Sequence, residues 1–207
     1  MRSAMRGNVA SRARFRDAPG TLVTAKLLLA GAVLLAAVVA AGCSKSPSDT
    51  ELTAARQFAA FPLYWVGPRF EKWRLAAIEG LGSRAELVTF IYGTCRPHDG
   101  GQPSCAPPLQ IQVFPLCWHL NVVAADPIWR RRRIRGAPVG MIDGAPVLFS
   151  QGAQVKVYRG EGSDAGLPCR ALRALRSINR VPPVVDATDS IPPPDAGLLE
   201  GTHPCTS

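Results

Sequence analysis

Few side chains in this sequence are spaced to do chemistry. Cys117 and His119 stand two apart in Cys117-Trp118-His119, a spacing that on a strand turns both to one face and sets a thiol nucleophile beside a base. The other two histidines, His98 and His203, are distant in sequence, and no third group is evident to orient the imidazole. HExxH, GxSxG and a phosphate-cradling glycine loop are all absent. Asp143-Gly144 reads as a turn, and no pair of acidic residues is poised for acid–base work. The cysteines contain no CxxC pair, so neither a metal site nor a cofactor is expected. The balance of the reading is non-catalytic, with an enzyme acting through Cys117/His119 as the alternative.

Binding chemistry is better represented. Arg130, Arg131, Arg132, Arg133 and Arg135 form the densest charge outside the N-terminal region, preceded by Trp129. Such a run suits anionic headgroups or an acidic polymer. Its plainer reading is a solvated loop or an edge strand whose arginines prevent edge-to-edge pairing. Phe61, Tyr64, Trp65, Phe70 and Trp73 cluster within a short span. They could form a stacking platform for sugar or peptide, but large aromatics at this density are more often core. A Trp65–Arg69 surface stack is the polar variant of that reading.

The overall charge of +9 across 207 residues invites a nucleic-acid reading that fails once the charge is located. Residues 1–42 hold six basic groups against Asp17 alone, leaving 18 basic and 14 acidic groups in residues 43–207. Leu27 to Val39 is then apolar without interruption, and Ala40-Ala41-Gly42-Cys43 follows. A basic n-region, an apolar h-region of about 7–15 residues and a small-residue site make an export signal, with Met1 and Met5 both available as starts. The apolar run is short of the ~20 residues of a membrane span. An ordinary cleaved signal and a cytosolic core helix are the other readings of this stretch.

Val39-Ala40-Ala41-Gly42-Cys43 resembles the lipobox of bacterial lipoproteins. The resemblance implies cleavage between Gly42 and Cys43, diacylglycerol modification of Cys43, and a chain held at the outer face of a membrane by its acyl chains. More than one chain is needed because a single one binds a bilayer only marginally. Nucleic acid is not expected as a partner in that location.

Outside the cytoplasm the remaining five cysteines become disulfide candidates. Cys95 and Cys105 flank a Gly/Pro-rich loop between two expected strands, so their pairing is favoured; a loop that short contributes about 3 kcal/mol on the chain-entropy model. Cys117 with Cys169 is the second pairing. Cys205 is then left over, although it could equally capture Cys117 or Cys169.

The positioning elements follow from periodicity. Glu51 to Ala60 reads as a helix capped by Ser48 or Asp49 and stopped by Pro62, with Leu52, Ala55, Phe58 and Ala59 on one face. Leu109, Ile111 and Val113 alternate with Gln110 and Gln112 in a half-buried strand. Glu86 to Tyr92 reads as a central strand. Val147 to Ser150 and Gln154 to Tyr158 make a hairpin with Val155 and Val157 inward and Lys156 outward. Trp73 to Ile78 and Val139 to Ile142 are weaker strand signals. A helix runs from about Pro168 to Ile178, with Cys169, Leu172 and Leu175 inward and Pro168 in its first turn.

The expected organisation is a signal at 1–42, a lipidated flexible tether at 43–50, an α+β domain at 51–180 and a Pro-rich tail at 181–207, extended or disordered. The domain is a small antiparallel sheet with one or two packed helices.

Phe61-Pro62-Leu63-Tyr64-Trp65-Val66-Gly67, Ile91-Tyr92-Gly93-Thr94-Cys95 and Cys105-Ala106-Pro107-Pro108-Leu109-Gln110-Ile111-Gln112 resemble a group of uncharacterised exported lipoproteins from bacteria with high-GC genomes. The 20 arginines against four lysines agree with such a genome. The likeness covers about residues 58–180 and implies an anchor and a fold, with no activity attached. The resulting expectation is a lipid-anchored, extracytoplasmic binding or accessory module, with anionic lipid or envelope polymer as its candidate ligand.

Overall fold

The computed structural model describes residues 46–95, 106–118, 120 and 131–205, all of them within the 43–207 unit. The expected signal, Cys43, His98, Cys105, His119, Trp129 and Arg130 lie outside the described residues. What is described is an α+β fold in which every strand pair is antiparallel.

Helix α1 (Asp49–Gln57) opens on a full capping box. The Ser48 hydroxyl accepts from the Glu51 amide at 3.1 Å, and the Glu51 carboxylate accepts from the Ser48 amide at 2.5 Å. Reciprocal caps of this kind contribute about 1 kcal/mol. The helix ends three residues earlier than its periodicity suggests, because the carbonyls beyond it are claimed from elsewhere. Asn179, only 2% exposed, donates its amide to Phe58 O (3.0 Å) and Phe61 O (2.9 Å) and accepts from the Leu63 amide (2.9 Å). All three hydrogen bonds are buried, where an unpaired polar group costs most.

Two four-stranded meanders make the main sheet. The first comprises β2 (Arg69–Phe70), β3 (Trp73–Glu79), β4 (Val88–Tyr92) and β5 (Leu109–Pro115). The second comprises β6 (Arg133–Ile134), β7 (Ala137–Ile142), β8 (Ala145–Ser150) and β9 (Ala153–Arg159). They join through β5 and β9, giving the order β2-β3-β4-β5-β9-β8-β7-β6. A separate ribbon pairs β1 (Tyr64–Trp65) with β10 (Arg176–Ser177), which follows helix α2 (Leu167–Arg173).

Alternation along β5 and β9 divides the sheet into two faces. Leu109, Ile111, Val113, Val155 and Val157 enter the larger core with Phe90, Leu148, Leu167, Leu172 and Leu175. Phe61, Tyr64 and Trp65 are buried in the same core, with Phe70 and Trp73 packed against it. This aromatic cluster is core, and the arginine over Trp65 is Arg176 at 5.7 Å. On the opposite face, Leu116, Leu120, Val147, Phe149 and Leu199 form a smaller core. Lys156 is directed to that second face but is itself buried.

The Pro-rich tail corrects its sequence reading. Its described residues carry no helix or strand, yet Val185 and Ile191 enter the first core and Leu199 the second. Gln151 donates its amide to Pro192 O (2.9 Å), and Ile191 donates to Arg135 O (2.7 Å). An extended chain that buries one apolar residue at a time leaves no periodic trace.

The cysteine pairing is corrected too. Cys117 bonds to Cys205, not to Cys169, with 5.5 Å between their Cα atoms. Cys169 is free and exposed; α2 starts at Leu167 and turns Ala171 and Leu172 to the core instead. Cys95 is disulfide-bonded, while its expected partner Cys105 is outside the described residues. The Cys117–Cys205 bridge spans a separation of 88 residues. Closing a loop of that size removes roughly 4–5 kcal/mol of unfolded-state entropy at 25 °C. Cys205→Ser is therefore expected to lower the free energy of unfolding in urea by about 2–5 kcal/mol, a loss that added reductant should not deepen through this bridge.

Candidate functional site

Arg131, Arg132 and Arg133 do not stand alone. They line a cleft of about 890 Å³ together with Arg159, from the end of β9, and Arg173, from the end of α2. The acidic residues in its lining are Asp143 and Glu161. All five arginines are exposed, and none of them forms an ion pair among the described residues. Free Cys169 lies in the same wall. Guanidinium groups converging without ion-pair partners make a receptor for carboxylate, phosphate or sulfate oxygens, which they can grip bidentately.

Arg170 and Arg135 have other duties. Arg170 holds Glu71 (2.7 Å) and Asp164 (2.5 Å), which pins α2 near the β2–β3 turn. The Asp164 carboxyl is drawn below its ordinary value by the Gly166 amide and by Arg170. Arg135 is a correction to the anionic-surface set. Its Nε donates to Asp189 O at 2.5 Å, and its other nitrogens donate to the carbonyls of Leu175, Asp186 and Arg173. With φ at +51° it leaves the β6–β7 turn in the left-handed region, and burial lowers its pKa from the ordinary arginine value. Its work is to bind the tail and the end of α2.

A second cleft, about 430 Å³, lies on the other face of the sheet. Cross-strand register sets its floor: Gln112 of β5 pairs with Lys156 of β9, and Lys156 with Val147 of β8. Phe114 and Trp118 stack at its rim with centroids 4.3 Å apart and planes 14° apart. Trp118 is 37% exposed. Gln154 positions that loop by donating to Leu116 O (2.6 Å) and Trp118 O (2.5 Å). Asp143 and Tyr158 line both clefts, which therefore meet at the β7–β8 turn.

Lys156 Nζ bonds Asp143 Oδ2 at 2.9 Å and sits 4.9 Å from the Tyr158 ring. The lysine side chain is 10% exposed and the aspartate 80%. Burial acts to lower the Lys156 pKa, but the hydrogen bonds to Asp143 and Tyr158 outweigh it and hold the ammonium above its ordinary value. The pair neutralises one of the two acids in the arginine cleft's wall. Cys117 is oxidised in its bridge to Cys205, so it supplies no nucleophile for the Cys117/His119 alternative. Among the described residues no cluster of three metal-ligating side chains occurs, and no helix is long and apolar enough to cross a membrane.

Reading along the chain could find Arg131–Arg133 but not their partners. Arg159 and Arg173 each look like an ordinary terminal arginine, and only the β9–β8–β7–β6 order and the packing of α2 on β8 and β9 bring them beside the run. Trp118 was visible only as the middle of Cys117-Trp118-His119.

Because Lys156 titrates higher folded than unfolded, its contribution is fully present below the ordinary lysine pKa of 10.5 and is lost as pH rises through the raised folded value. Urea unfolding between about pH 9 and 12 should show this loss. Asp143→Asn should weaken stability by about 0.5–1 kcal/mol at neutral pH and flatten that alkaline slope. Compared with protein-family models, curated proteins and solved structures, the chain matches none of them.

Proposed function

We propose that this chain is a membrane-anchored, extracytoplasmic module of the cell envelope that binds a polyanionic ligand without catalysis. The observation that carries the binding part is the convergence of Arg131, Arg132, Arg133, Arg159 and Arg173 on one cleft. Exposed arginines on separate surfaces would only raise solubility, whereas five around one concavity focus a positive field into it. The anchor and the location rest on the lipobox-like Val39–Cys43 stretch. The Cys117–Cys205 bridge supports an oxidising compartment.

Two experiments test the two parts. Labelled fatty acid should enter the wild-type chain in a bacterial host and not Cys43→Ala; equal labelling of both ends the anchor reading. The full chain in neutral detergent should bind inorganic polyphosphate in a salt-sensitive manner and protect Cys169 from alkylation. Replacing Arg131, Arg132 and Arg133 together by alanine should weaken that binding by roughly ten- to a hundredfold, taking about 0.5–1 kcal/mol per exposed charge. Undiminished binding by this variant would end the cleft reading. Arg135→Ala should instead lower the thermal midpoint and leave the affinity of the folded protein unchanged.

A further inference from the structure

We infer that the polyanion is an acidic polysaccharide, whose charged groups meet the arginine cleft while its uncharged sugar faces lie in the second cleft across the β7–β8 turn. The inference rests on the polyanion reading and extends it from charge to ligand class. Its ground is that two clefts of different chemistry share Asp143 and Tyr158. One ligand chain passing over that rim can therefore meet both.

The second cleft selects what kind of chain this is. Trp118, backed by the buried Phe114 stacked on it, and Tyr158 supply aromatic surface, which buries the C–H faces of sugar rings at low entropy cost. Gln112 supplies an amide for hydroxyls, while the Gln154 amide and the Lys156 ammonium are held by Leu116 O, Trp118 O and Asp143. Gln112 is half-buried and its side chain makes no hydrogen bond among the described residues, so its carboxamide keeps donor and acceptor capacity for a ligand. An acyl chain laid here would bury the Gln112 carboxamide without a partner, which counts against a lipid. A bare oligophosphate would use the arginines and gain nothing from the aromatic half. A sugar polymer bearing carboxylates or phosphates uses both halves.

The test compares three probes of equal charge number on the full chain in neutral detergent: oligogalacturonate, oligoglutamate and oligophosphate. Oligogalacturonate should bind tightest. Gln112→Ala and Trp118→Ala should each weaken it about three- to tenfold, the range of one lost stacking or hydrogen-bonding contact, and leave oligophosphate unchanged. The Arg131/Arg132/Arg133 alanine variant should weaken all three probes. Circular dichroism of the Gln112→Ala and Trp118→Ala proteins separates a lost contact from a lost fold.

Oligophosphate binding equal to oligogalacturonate, with both substitutions silent, overturns the saccharide inference and leaves the polyanion reading standing. Oligoglutamate binding tightest overturns it in favour of an acidic peptide. Failure of all three probes to bind overturns both readings.

Discussion

All seven residues of β9 pair with all seven of β5, and the molecule depends on that seam. It is the sole strand pairing between the two meanders within the eight-stranded order. Its period-two alternation decides what each face receives. Val155 and Val157 go to the larger core while Gln154, Lys156 and Tyr158 go to the second cleft. A slip by one residue would exchange the two sets, removing core and cleft together. The same register carries Arg159 to the end of β9, beside the arginines that β6 brings round from the far edge of the sheet.

Around the seam, the ends of the domain are joined by polar side chains acting on backbone. Asn179 fastens the exit of α1 to the segment after α2. Arg135 gathers carbonyls from the end of α2 and from the tail. Both satisfy backbone groups that lie outside any ladder, the role that regular structure fills elsewhere. This is how a chain with 19 prolines keeps long irregular segments packed: side chains supply the donors that a proline-rich backbone lacks.

The regular part of this architecture was legible and the irregular part was not. Alternation in Leu109–Val113 and the turn residues Gln151-Gly152 mark β5 and the β8–β9 hairpin correctly, since burial on one face imposes a period of two. The two-residue strands β1, β2, β6 and β10 are too short to show a period. The tail is invisible for the same reason, its apolar anchors Val185, Ile191 and Leu199 being separated by prolines and polar residues. Charge density alone points to Arg131–Arg133, but it cannot separate the cleft arginines from Arg135, because that difference lies in where each guanidinium is aimed. The Cys117 pairing escapes for a topological reason: the tail must first be known to cross the second face before Cys205 can reach it.

The bridge between Cys117 and Cys205 also distributes mechanical load. It encloses β6 to β10 and α2 in one covalent ring, and the arginines of the cleft all lie inside it. Tension applied between residue 46 and residue 205 runs through the sulfur–sulfur bond and leaves the enclosed chain unloaded until that bond breaks. The first meander lies outside the ring and is the segment that yields. Under such an end-to-end pull the first meander is a compliant leash and the ring a shielded block, so the binding surface keeps its shape while the rest absorbs extension.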